Sequence, residues 1–278
     1  MSTQAKRNDQ PIGVFDSGVG GLTVARAIRD QLPQESMLYV GDTARTPYGP
    51  RPIAEVRRFT LEILDDMVDQ GVKMLVIACN TASAAMLRDA HERYSVPVVE
   101  VIGPTVRSAM SITRNRRVGL IGTAGTIQSR VYDDLFSMRP EIELVSQACP
   151  RFVELVEAGK TSGPEVLEIA EEYLAPLVER DIDTLVLGCT HYPFLRGAIR
   201  QVVGTDVALV SSDVETAAEV YRVLTQQGLL RDPGLGEPEV RYEATAEDAA
   251  GFVELARRML GIGIDAVDHL PTGAIHLP

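Results

Sequence analysis

The segment Leu75-Val76-Ile77-Ala78-Cys79-Asn80-Thr81-Ala82-Ser83 decides how the chain reads. A short apolar run ends at a cysteine, small polar residues follow, and the helix-forming Ala84-Ala85-Met86-Leu87 comes next. That order spells strand, tight turn and helix start. In an open parallel sheet, ligands bind at the carboxyl ends of strands, where such turns lie. The N–H groups of Asn80 and Thr81 would be unpaired at the helix start and able to hold an anion. The same helix end is expected to lower the pKa of the Cys79 thiol and make it a nucleophile or base.

The segment has an echo in Leu185-Val186-Leu187-Gly188-Cys189-Thr190-His191-Tyr192-Pro193. A second pair, Ile12-Gly13-Val14-Phe15-Asp16-Ser17-Gly18 and Val118-Gly119-Leu120-Ile121-Gly122-Thr123-Ala124, repeats at nearly the same offset. Two pairs at one offset indicate two similar α/β halves with mainly parallel sheets, related by a pseudo-twofold axis, each presenting one cysteine to a shared cleft. Two thiols on opposite sides of a small substrate suit inversion of a stereocentre. One thiolate takes a proton from carbon, and the other thiol delivers one to the opposite face. The residues alone also admit two structural cysteines packed as small hydrophobes, or a redox pair.

Composition narrows the classes. A chain of 278 residues is long enough for one large or two medium domains. Its net charge of −12 argues against a nucleic-acid surface or attraction to anionic membranes. Three cysteines make no disulfide scaffold. Cys79, Cys149, Cys189 and His191 lack the paired spacing of a zinc site, so no metal is expected. With no apolar leader and no membrane span in view, the expectation is a cytoplasmic protein with reduced thiols.

Taken in order, residues 11–103 and 213–260 are expected to form the first domain and 104–212 the second, with tails at 1–10 and 261–278. Strand Ile12 to Phe15 leads into the Asp16–Gly21 loop and helix Leu22 to Gln31. A dinucleotide reading fails there, because Thr23 stands where the third glycine of the fingerprint belongs. Strand Met37 to Val40 precedes an irregular loop from Gly41 to Pro50, in which the N–H groups of Tyr48 and Gly49 suit a carboxylate. Helix Ile53 to Gln70 follows, and Val96 to Ile102 is expected as a strand. In the second half, helices are expected at Thr105 to Thr113, Ser129 to Met138 and Pro164 to Arg180. Strands are expected at Arg117 to Ile121 and Ile142 to Ser146. Gly122-Thr123-Ala124-Gly125-Thr126 is the counterpart of the Asp16 loop, with hydroxyls such as that of Thr123 where the first half has a carboxylate. Asp206 to Val210 is a strand, Asp213 is expected to cap a helix through Val223, and a helix from Ala246 to Leu260 closes the frame. Cys149 has no echo and reads as structural. His191 and Asp16 are the candidate supports of the two thiols.

At Phe15 to Leu22, Asp42 to Gly49, Ala78 to Thr81 and Gly188 to Pro193, the chain resembles the glutamate racemases of the aspartate/glutamate racemase superfamily. The resemblance covers about residues 11–260. It implies cofactor-independent interconversion of L- and D-glutamate, supplying D-glutamate for peptidoglycan. Cys79 and Cys189 are then the two acid/base residues, the first serving the D-enantiomer and the second the L-enantiomer. Asp16, Ser17, Tyr48, Gly49, Asn80, Thr81, Thr190 and His191 are placed around the substrate. The resemblance further implies no pyridoxal phosphate, no metal and a homodimer. A racemase of another acidic amino acid such as aspartate, and a non-catalytic binding module on the same fold, are the alternatives.

Overall fold

The computed structural model describes residues 7–86, 89–261 and 263–272. Strands β1 (Ile12–Asp16), β3 (Met74–Ile77) and β7 (Thr184–Gly188) are buried at every position. β5 (Arg117–Gly122) is buried after its first residue. Unbroken burial, in place of in-out alternation, marks strands covered on both faces, the usual setting of a parallel sheet. With β2 (Met37–Gly41), β4 (Val98–Glu100), β6 (Glu143–Ala148), β8 (Ala208–Ser211), β9 (Val240–Ala244) and β10 (Asp268–His269), they form two sheets. One has the order β10-β9-β2-β1-β3-β4 and the other β6-β5-β7-β8, with every pairing parallel. The run β2-β1-β3-β4 matches β6-β5-β7-β8 position for position, so the echo in the sequence is an echo in topology.

Residues of alternating parity feed different cores. Val14 and Val76 of the first sheet join Val118, Leu120, Val186 and Val210 of the second in one central cluster. Helices α1 (Leu22–Gln31), α5 (Ile102–Ile112) and α11 (Ser212–Gln227) share that cluster, α11 lying against both α1 and α5. Phe15, Leu75 and Ile77 point the other way, onto α2 (Ile53–Asp69). Ile121, Leu185 and Leu187 do the same in the second sheet, onto α8 (Arg151–Glu157), α9 (Pro164–Val178) and α10 (Arg196–Val203).

Several expected boundaries move. The strand expected from Val96 to Ile102 is only Val98–Glu100, and α5 starts at Ile102 with Gly103 and Pro104 in its first turn. Glu100 makes that start possible, its carboxylate accepting from the N–H groups of Ile102 at 2.6 Å and Gly103 at 2.9 Å. Of the helix expected from Ser129 to Met138 only α7 (Val131–Phe136) forms, and a separate short helix, α6 (Ala124–Gln128), precedes it; Arg130, whose φ of 58° is left-handed, keeps the two apart. Asp213 lies inside the first turn of α11, and that helix runs on to Gln227, where left-handed Gly228 ends it. α12 (Ala250–Leu260) begins later than Ala246. Neither tail is structureless where described. Lys73 donates to the Asn8 carbonyl at 2.6 Å, Arg231 pairs with Asp9 at 2.8 Å, and β10 extends the first sheet.

Candidate active site

The expected site residues fall where the topology sends them, beyond the carboxyl ends of the central strands. Ser17 follows β1, Thr46 to Pro50 lie in the loop after β2, and Cys79, Asn80 and Thr81 follow β3, the last two opening α3 (Asn80–Met86), which α4 (Asp89–Arg93) follows. Thr123 follows β5, and Cys189, Thr190 and His191 follow β7. All of these, with Tyr48 and Gly49, line one cavity of about 170 Å³. Drug-sized ligand sites run roughly 300–1,000 Å³, so this one suits a small metabolite. Asp16 is the exception. It is fully buried behind the cavity wall, its Oδ2 accepting from Gly18 N–H at 2.9 Å.

Cys79 is buried, with its sulfur 3.5 Å from the Ser17 hydroxyl. Its thiol pKa is pushed up to about 12, by burial first and by Asp16 second, against the opposing Ala82 N–H and Ser17 hydroxyl. This reverses the expectation of a lowered pKa. A short helix offers a small dipole, and the loss of water beside a carboxylate outweighs it. Burial likewise raises Asp16, against the pull of His191 and the N–H groups of Gly21, Gly18 and Ser17.

Cys189 faces a different setting. Its sulfur lies 3.8 Å from His191 Nδ1, and His191 Nε2 lies 3.4 Å from a Glu157 carboxylate oxygen. Burial opposes the imidazolium, but the Cys189 sulfur, Glu157 and Asp16 raise the His191 pKa from 6.5 to about 10. The loop after β1 reaches this group because Gly20 has no side chain. A methyl carbon there would stand 2.4 Å from Thr190 Oγ1. Tyr39 braces the loop by donating to the Gly18 carbonyl at 2.8 Å.

Tyr48 contributes by backbone. Its ring is buried against Phe15 and Phe59, and its hydroxyl donates to Asp42. Asp42 also takes the Arg45 guanidinium, at 2.7 Å, and the Thr245 hydroxyl, also at 2.7 Å. The loop, with a cis Thr46–Pro47 peptide, is thereby tied to β9 and turns Gly49 toward Thr123. Gly125 N–H donates to the Gly49 carbonyl at 2.9 Å. The Thr81 hydroxyl lies 3.0 Å from that of Thr123 and 3.3 Å from that of Thr126. These contacts stitch the two sheets' loops together at the cavity.

Glu157, Glu154, Val153 and Pro150 also line the cavity and were not anticipated. The signal was present in the topology. β6 is the counterpart of β2, so the segment after β6 takes the place of the Gly41–Pro50 loop. Cys149 itself is fully buried, with its sulfur 3.7 Å from the Gln147 carbonyl. Among the described residues, no group of three or more His, Cys, Asp or Glu side chains is arranged to hold a metal ion. None of the described helices is long and apolar enough to cross a membrane.

Residues 21–220 match the family described as Asp/Glu/Hydantoin racemase. The chain is 64% identical over 269 residues to a glutamate racemase of Leifsonia xyli subsp. xyli, covering 97% of this chain and 98% of that one. Among solved structures it is similar to a glutamate racemase of Bacillus anthracis, with a TM-score of 0.91 and 42% identity over 95% of this chain and 98% of that one. It is also similar to a glutamate racemase of Francisella tularensis in complex with D-glutamate, with a TM-score of 0.89 and 33% identity over 96% of this chain and 99% of that one. Two matching parallel sheets, a cysteine at each equivalent strand end and this degree of identity make the chain a member of the Asp/Glu/Hydantoin racemase family, among its glutamate racemases.

Proposed function

We propose that the protein interconverts L- and D-glutamate by a two-thiol mechanism that needs no cofactor. The observation that carries this is the placing of Cys79 and Cys189 at topologically equivalent strand ends on one small cavity. One sulfur, as thiolate, removes the α-proton, and the other, as thiol, protonates the opposite face of the same carbon.

The α-proton of an amino acid is far less acidic than a thiol, whose free pKa is about 8.5. The site therefore has to stabilise charge growing on the α-carboxylate. Preorganised donors in a dry cavity do this, each contributing roughly 2.7–4 kcal/mol to the transition state. Asn80, Thr81, Thr123 and Thr190, with the N–H groups of Tyr48 and Gly49, fill that role. Asn80 Nδ2, in the cavity lining, is buried without a hydrogen bond, a state that costs free energy until a ligand or water relieves it; Asp16 Oδ1, behind the wall, and His191 Nε2, 3.4 Å from Glu157, likewise lack one. Burial and Asp16 favour the neutral thiol at Cys79, and His191, which keeps its proton, stands beside the Cys189 sulfur as a counter-charge for negative charge arising there in the reaction. Asp16 and His191 support their cysteines without replacing them. D-Glutamate made this way would serve peptidoglycan synthesis in the cytoplasm, and the working form is a homodimer, as the family resemblance implies.

The test is α-hydrogen exchange of L- and D-glutamate in D₂O, with circular dichroism followed in the same samples and no cofactor added. Exchange with loss of optical activity from both hands is expected. Folded, reduced protein that exchanges neither hand overturns glutamate as the substrate; exchange of aspartate in its place moves the site to another acidic amino acid.

A further inference from the structure

Asn80 carries an amide with one end tied and one end open. Its Oδ1 accepts the Tyr132 hydroxyl at 2.7 Å. Its Nδ2 is buried without a partner, in a residue that lines the cavity. Tyr132 comes from the other half of the molecule, on α7, directly after the left-handed turn at Arg130. Its ring is 1% exposed and packs in the central core that both sheets share. A methyl carbon placed on Gly188 would stand 3.6 Å from its hydroxyl. The hydroxyl therefore sits between the residue that follows Cys79 and the residue that precedes Cys189.

We propose that Tyr132 is a positioning residue for racemisation: by holding Asn80 Oδ1 it commits the Asn80 NH₂ group to a substrate carboxylate as a fixed donor. The inference rests on the glutamate reading above. The terminal torsion of asparagine is broad, with two nearly equivalent settings. Without Tyr132 the amide can turn its oxygen toward the ligand, and an oxygen facing a carboxylate repels it. Burial raises the Tyr132 pKa, with Glu100 and Cys189 adding to the effect, so the phenol stays a donor across the working range. Because Asn80 and Tyr132 lie on helices that follow strands of different sheets, the donor is set only when the halves are in register.

Wild type, Tyr132→Phe, Asn80→Ala and the double variant are compared for kcat and KM with both enantiomers, alongside thermal unfolding. Tyr132→Phe keeps the buried ring and is expected to lower kcat/KM about tenfold in both directions, the size of one oriented hydrogen bond. In the Asn80→Ala background the same change is expected to cost nothing further, since its effect runs through that amide. A Tyr132→Phe enzyme within twofold of wild type overturns the inference. So does a tenfold loss that recurs in the Asn80→Ala background, which is the mark of a packing role. If Tyr132→Phe does not fold, wild type labelled with ¹⁵N-asparagine is titrated with D-glutamate. A large shift of the Asn80 side-chain amide is expected, and its indifference to D-glutamate at saturation overturns the inference. A wild type that racemises no glutamate refutes the functional reading as well; an active wild type with an indifferent Tyr132 refutes this inference alone.

Discussion

Gly20→Ala is expected to lower kcat/KM by about 10²-fold while leaving the fold intact. Gly20 has no left-handed φ, so alanine meets no backbone strain there and the effect is steric alone. The new carbon would stand 2.4 Å from Thr190 Oγ1 and 2.8 Å from both Cε1 and Nδ1 of His191. Ordinary heavy-atom contact lies at roughly 3.5 Å, so about 1 Å has to be found. Neither neighbour yields it easily. Thr190 and His191 are 4% and 7% exposed, and a β-branched threonine is stiff at χ1. Either the Asp16–Gly21 loop lifts away from Cys189 or His191 leaves its sulfur, and a misplacement of about 1 Å costs on the order of 10²-fold. Gly18→Ala is the internal comparison. There the new carbon meets only Thr46 Oγ1 at 3.3 Å, and a loss under about fivefold is expected from so small a shift. The assay is stopped-time circular dichroism from each enantiomer, with thermal unfolding in parallel. Since the equilibrium constant between enantiomers is unity, kcat/KM has to fall equally in both directions. A Gly20→Ala enzyme with more than half of wild-type kcat/KM refutes the reasoning, because it would show that the loop does not set the thiol's surroundings.

Cys79→Ser and Cys189→Ser are each expected to cut racemisation by roughly 10²- to 10⁴-fold, the range of one lost general acid or base; near-normal turnover by either sinks the two-thiol mechanism. The alkaline limb of the kcat/KM profile is expected to fall as pH nears about 10, where His191 loses its proton, and a fall centred near 6.5 would show an unperturbed imidazole. The same raised pKa makes the His191 contribution to stability full below about 6.5 and lost as pH rises through about 10, which unfolding midpoints of wild type and His191→Asn across that window check. Lys73→Met is expected to cost about 3 kcal/mol in urea unfolding, because the fully buried ammonium pairs with Glu35 and its loss leaves that carboxylate with the Arg231 N–H at 2.9 Å. A cost below about 1 kcal/mol would mean that the N-terminal residues are not anchored through this pair.

Strands that are buried on both faces announce themselves as unbroken apolar runs, which is why Ile12 to Phe15, Leu75 to Ala78 and Leu185 to Gly188 were legible along with the polar turns after them. The duplicated cysteine turns mark the two sides of the cavity. What escaped depended on partners far away in the chain. Nothing local at Arg130 marks a left-handed residue, so the break between α6 and α7 was invisible, and with it the entry of Tyr132 into the interface. β10 is two residues long, in a segment without periodicity, and exists because β9 offers it a free edge. Glu157 becomes a partner of His191 only once α8 packs against the Tyr192–Leu195 turn that follows β7. The pKa of Cys79 could not be read from its helix start, since burial and Asp16, contributed by another strand, decide its direction.

The two halves share a frame but not an environment, and the reaction needs both facts. Equal strand positions put one sulfur on each side of a single carbon, as inversion requires. Unequal neighbours break the tie in proton placement. At the end of β1 stands Asp16, which with burial holds the Cys79 thiol in its neutral form; at the end of β5 the corresponding residue is Gly122, which carries no charge. Beside Cys189 stands His191, which keeps its proton. On the two-thiol proposal each turnover interconverts the two protonation forms, and the form with its negative charge at Cys79 works against burial and Asp16. That asymmetry cannot favour either hand in kcat/KM, because the enantiomers are equal in free energy. It can change kcat and KM differently for the two hands, so long as kcat/KM stays equal between them. Replacing Asp16 by a neutral residue would ease the charge at Cys79 and shift kcat and KM of the two hands unequally, while kcat/KM changes by one common factor for both, as the equilibrium imposes.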